Sequence, residues 1–99
     1  MLVSASVLQP NPDYKTRMSE PERDAHLIAL GRALRELRLQ AGLTQEQLAE
    51  RLDMHAAYIS RLERGHRGAQ WLTVQRFLTA LDADLHQLAE AIDDAERKS

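Results

Sequence analysis

The 99-residue chain contains no cysteine. Disulfides, thiolate-held metals and a cysteine nucleophile are thereby excluded, and the composition suits a reducing cytoplasm, where the protein is expected to reside. Aromatic residues are scarce, with one Trp, two Tyr and one Phe, and there are only four glycines, so the aromatic and turn-rich make-up of sheet proteins is lacking. The three prolines all fall within the first 21 residues, which leaves the remainder free of helix breakers. No apolar run approaches the roughly 20 residues of a membrane-spanning helix, and residues 1–8 lack the basic flank of a secretory signal, so no membrane association is expected. A glycine-rich phosphate loop and a GxSxG nucleophile elbow are also missing. The histidines at 26, 55, 66 and 86 share no metal-ligand spacing such as i, i+4. No metal, cofactor or catalytic residue is expected, and the chain reads as a non-enzyme of one domain.

What remains is rich in Leu, Ala, Glu, Gln and Arg, which favours an all-α fold. The net charge of −2 hides an uneven spread: residues 27–68 carry seven cations, all Arg, against five carboxylates, whereas residues 69–99 carry three against six. The basic middle third is where a polyanionic partner would be met.

Residues 1–19 read as an N-terminal arm or linker, since the QPNPD run at 9–13 can neither continue a helix nor pair fully as a strand. Its apolar Leu2, Val3, Val7 and Leu8 are suited to pack on the domain, on a second copy or on a protein partner. Ser19 and Glu22 then form a capping box, and Leu27, Leu30, Leu34, Leu37 and Ala41 recur at helical spacing up to Gly42. Thr44 and Gln47 cap a second, short helix with Leu48, Ala49 and Leu52 on its apolar face. A third passes through Ile59 and Leu62 to Gly65. Trp71, Val74, Phe77, Leu78 and Leu81 make a fourth stripe on an inner face. Asp84 and Gln87 cap a fifth helix carrying Leu85, Leu88 and Ile92, before a polar tail over 94–99 that frays from Asp93. The expected architecture is a five-helix domain over 20–93.

Two short helices joined by a very tight turn, after one longer helix and before two more, form the arrangement that can present a helix to a DNA major groove. The run LTQEQLAERLDMHAAYISRLERG, Leu43 to Gly65, resembles the helix-turn-helix of Cro and phage-repressor type regulators. The similarity extends from about Leu30 to Leu88, with Thr44-Gln45-Glu46, Leu48-Ala49, Met54, Tyr58-Ile59-Ser60, Leu62-Glu63 and Gly65 at family spacing; the motif itself spans about 44–64. It implies a compact phage-repressor-like domain that binds double-stranded DNA to regulate transcription.

On that resemblance, and by 3.6-residue periodicity, Ala56, Ala57, Ser60, Arg61 and Arg64 face outward from the third helix. Arg61 is the expected base reader, because a guanidinium can donate two parallel bonds to guanine O6 and N7. Ala56 and Ala57 stand where relatives often carry polar readers and offer only a methyl contact to thymine; Ser60 offers a small hydroxyl. Backbone contacts are expected from Gln45, His55, Tyr58, Arg64 and Arg67. His55 has a simple helix cap as its other reading, and Tyr58 a place between helices. Arg38 and Glu63 align with a structural salt bridge of the family. Asp53 and Asp82 replace family glycines at helix ends and are expected to enter the left-handed region.

Exposed Leu72, with Leu85, Leu88, Ile92 and the apolar N-terminus, suggests a homodimer, since helix-turn-helix proteins usually pair to read two half-sites. Two alternatives stay open. An antitoxin would use the N-terminal arm to hold a toxin and would co-purify with it. A protein-interaction module with the same fold would not bind DNA, and would lack the steep salt-dependent binding to duplex DNA that phosphate contacts give.

Overall fold

The computed structural model describes residues 18–98, so the apolar N-terminal positions and the QPNPD run, with the partner contact expected of them, lie outside the described residues. Among the described residues there are five helices and no strand: α1 Glu20–Gln40, α2 Gln45–Leu52, α3 Ala56–Glu63, α4 Trp71–Ala80 and α5 Leu85–Arg97.

Three helices start as their local sequence dictates. Ser19 with Glu22, Thr44 with Gln47 and Asp84 with Gln87 each form a reciprocal capping box. The bonds lie between 2.8 and 3.2 Å, for example Gln47 N to Thr44 Oγ1 at 3.0 Å and Thr44 N to Gln47 Oε1 at 2.9 Å. Each box satisfies amides that the first helical turn would leave without partners. Pro21, in the first turn of α1, removes a donor that has no intrahelical acceptor anyway.

The ends are as local. Asp53 (φ 55°) and Asp82 (φ 53°) adopt the left-handed conformation expected of them. In both, the next amide reaches back into the helix, Met54 N to the Ala49 carbonyl and Ala83 N to the Leu78 carbonyl, each at 2.9 Å.

The core joins Leu34 and Leu37 of α1, Leu48 and Leu52 of α2, Ile59 and Leu62 of α3, Phe77 and Leu78 of α4, and Leu88 of α5. Phe77, Leu34, Leu48, Ile59 and Leu62 are fully buried. α1 is the axle on which α3 and α5 both pack. Its Gly31 permits the closest approach: a β-carbon there would lie 2.3 Å from the Leu62 carbonyl oxygen and 2.7 Å from that of Glu63. The end of α3 is thus seated on the α1 backbone. α2 and α4 are joined by exchanged arginines, Arg51 donating to the Ala80 carbonyl and Arg76 to the Leu52 carbonyl, so each helix caps the other's C-terminus.

Three expectations are corrected. Trp71, placed by periodicity on an inner face, is 55% exposed, whereas Leu88, expected with Leu85 on the pairing surface, is buried in the core. Trp71 is the first residue of its helix, where the apolar stripe runs past the neighbours that cover the rest of it, while Leu88 lies one turn into α5 on the side that joins the core. The third concerns the tail: the chain does not fray from Asp93, because α5 continues to Arg97. Ala95 is buried in that last stretch, Arg97 pairs with Asp93 one turn back, and Glu96 approaches His26 of α1 at 3.8 Å.

Candidate nucleic-acid interface

α3 carries the site. Ile59, Leu62 and Glu63 point inward and are buried, while Ala57, Arg61 and Arg64 are exposed and Ser60 is half-buried. No described segment covers this strip. Ala56 departs from the expected outward set: it is half-buried and packs on the core, as the first residue of α3 lies against α2 after the tight turn at Asp53.

A buried polar strut holds α3 at its angle. Arg38 Nε donates to Glu63 Oε2 at 2.6 Å and Arg38 Nη2 to Glu63 Oε1 at 2.9 Å, with the two side chains 7% and 2% exposed. Arg38 Nη1 also donates to the Leu43 carbonyl at 2.7 Å, and Gln45 Nε2 to Glu63 Oε1 at 2.9 Å. One carboxylate therefore links the end of α3 to α1 and to the start of α2. The hydrogen bonds that Arg38 donates to Glu63 raise its pKa above the ordinary arginine value, against the opposing effect of burial. No buried side-chain nitrogen or oxygen among the described residues lacks a partner, which is the condition for such a network to rigidify rather than destabilise.

The expected backbone contacts divide in two. Gln45 is half-buried with its side-chain amide turned inward to Glu63, at the start of a helix already capped by Thr44 and Gln47. His55 occupies the N-cap position of α3, but its side chain makes no capping bond and is exposed. The simple-cap reading of His55 therefore gives way to a free imidazole beside an uncapped helix start, a favourable place for an anion. Arg64 and Arg67 are exposed, and Tyr58 is half-buried with the Arg67 guanidinium 4.7 Å from its ring centroid.

Sequence reasoning missed Gly31, the exchanged Arg51 and Arg76 caps and the Leu43 carbonyl. Gly31 alone left a signal, a poor helix former in the middle of an otherwise strongly helical run.

The arrangement presents an exposed helix, braced from behind, with arginines along it. Comparison with known proteins agrees. A family model described as a helix-turn-helix domain matches residues 29–91. The propionyl-CoA carboxylase regulator of Cereibacter sphaeroides is 34% identical over 73 residues, 74% of this chain, although the chain spans only 15% of that protein's length. Control protein C.BamHI of Bacillus amyloliquefaciens is 31% identical over 74 residues, covering 72% of this chain and 91% of the relative. Among solved structures, the restriction-modification controller protein C.AhdI of Aeromonas hydrophila superposes with a TM-score of 0.62 at 37% identity, over 66% of this chain and 94% of that one.

Proposed function

The chain belongs to the helix-turn-helix domain family, and from that membership we propose that it is a sequence-specific DNA-binding transcriptional regulator that lays α3 in the major groove. The observation that carries this reading is the exposed strip Ala57, Arg61 and Arg64 on a helix whose opposite side is fixed by the buried Arg38–Glu63 pair. A rigid support matters because base recognition depends on angles as well as distances.

In this reading Arg61 donates two bonds to a guanine edge and Ala57 meets a thymine methyl group. Ser60 and Ala56, being half-buried, flank the base-reading strip. The N-terminal turn of α2 with the Gln45 backbone amide, the uncapped start of α3 with His55, and the arginines 64 and 67 take phosphates on either side. The names of the relatives, a regulator, a control protein and a controller protein, favour gene control over mere DNA packaging. Two copies related by a two-fold axis would read a palindromic site, so a homodimer is the working form. Its chemistry is binding only, carried out in the cytoplasm.

The test is selection of bound duplexes from a random pool, repeated with Arg61→Ala. Loss of preference at one base position in each half-site is expected. Recovery of no enriched sequence by the wild-type chain would overturn the proposal.

A further inference from the structure

Backbone geometry fixes where Arg67 stands. Gly65 leaves α3 with φ +77°, its amide donating to the Leu62 carbonyl at 3.0 Å and the His66 amide to the Arg61 carbonyl at 2.9 Å. This pair of bonds is the Schellman ending, which sets the direction of the chain that follows. α1 then seats that chain at two points: a β-carbon on Gly65 would lie 2.8 Å from the Ile28 side chain, and one on Gly68 2.9 Å from Leu27 Cδ2. Arg67 lies between those two contacts. Its guanidinium carbon is 4.7 Å from the Tyr58 ring centroid, within cation–π range, while Tyr58 itself rests on the core.

We propose that Tyr58 is a positioning residue, whose ring holds the Arg67 guanidinium beside α3 as a preformed clamp for a phosphate of the DNA backbone. The inference rests on the DNA-binding reading above. It replaces a phosphate contact by the Tyr58 hydroxyl with a contact made through Arg67. A guanidinium lying face-on to a ring keeps its N–H donors free at its edge, where they match two phosphate oxygens. A side chain already placed also loses less rotamer freedom on binding.

Fluorescence anisotropy of the full chain with a labelled mixed-sequence duplex and with the pool-selected duplex, each across a salt series, tests this. Arg67→Ala should weaken both duplexes by about tenfold and reduce the salt slope by about 1. Tyr58→Leu should do the same, the double variant should be no weaker than either single one, and Tyr58→Phe should match the wild type. Equal loss in Tyr58→Phe and Tyr58→Leu would show that the hydroxyl makes the contact and overturn the proposal. Additive single effects, or a loss confined to the selected duplex, would also overturn it. Should Tyr58→Leu fail to fold, the exposed Arg67→Lys serves: it keeps the charge without the planar face, and wild-type affinity there would refute the stack. Ring-current-shifted Arg67 Cδ protons in the DNA-free protein report the stack separately, so a wild-type chain that bound neither duplex would defeat the functional reading and not this geometry.

Discussion

Gly31 of α1 lies so close to Leu62 of α3 that a β-carbon at position 31 would meet the Leu62 carbonyl oxygen at 2.3 Å. In an exposed helix interior, Gly→Ala stabilises by roughly 0.5–1 kcal/mol. Here the sign reverses, because the obstacle is backbone and cannot rotate away. Gly31→Ala is expected to destabilise by about 1–3 kcal/mol, the usual range for overpacking. Because the displaced element is α3, DNA affinity should also fall in samples that remain folded. Denaturant unfolding checks the first effect, and a stability equal to or above the wild type would rule out the close crossing.

Arg38 and Glu63 are joined by two hydrogen bonds and almost wholly buried, so the partners cannot be removed one at a time without stranding a charge. Arg38→Ala or Glu63→Ala is expected to cost on the order of 3–5 kcal/mol, well above the roughly 0–1 kcal/mol of an exposed pair. Replacing both by apolar residues, Arg38→Met with Glu63→Leu, should recover much of that loss. A double-mutant cycle with no coupling would assign the pair no structural weight.

These two contacts mark what the sequence can and cannot disclose. The capping boxes, the left-handed Asp53 and Asp82 and the five apolar stripes were legible because each depends on residues within a turn or so of one another. The Arg38–Glu63 pair spans 25 residues and was reachable only through the family resemblance. Trp71 and Leu88 were misjudged because periodicity gives the direction of a stripe and not the extent of the neighbour that covers it. The same ignorance ended α5 too early, since the start of α1, far away in sequence, supports its last turns. In the site, the outward positions of Arg61, Arg64 and Ala57 followed from periodicity, whereas the Tyr58–Arg67 stack depends on how Gly65 and Gly68 meet α1.

Asp53 is strained for a different reason, since its φ of 55° brings its β-carbon close to backbone. Left-handed geometry costs a non-glycine residue roughly 1–2 kcal/mol, partly offset by the roughly 0.5–1 kcal/mol of extra chain entropy that glycine loses on folding. Asp53→Gly is therefore expected to raise stability by about 0.5–1 kcal/mol, in contrast to the loss expected at Gly31. A clear fall in unfolding midpoint would contradict the left-handed turn.

Trp71, Leu72 and Leu85 leave apolar surface at the starts of α4 and α5, with Leu72 69% exposed. Burial of this surface between two copies is the expected driving force for the homodimer. Sedimentation equilibrium should report about twice the 11.2 kDa chain mass, and Leu72→Lys should shift it toward the monomer with the helical content retained. A particle of chain mass at every concentration, with and without duplex, would end the homodimer assignment.

Glu22 completes the first capping box, accepting hydrogen bonds from the Ser19 backbone amide and hydroxyl, and these hold its pKa below the usual glutamate value. The sign of the linkage follows. A carboxylate whose folded-state pKa is depressed contributes stability above its unfolded-state value, and that contribution is lost as the pH falls through the folded-state value. Stability should therefore decline on acidification through and below the ordinary glutamate range. Glu22→Gln keeps a capping oxygen but does not titrate in that range, so its pH profile should be flatter there than that of the wild type. Thermal melts of both chains from neutral to acidic pH make the comparison, and parallel profiles would show that the box contributes nothing that depends on the Glu22 charge.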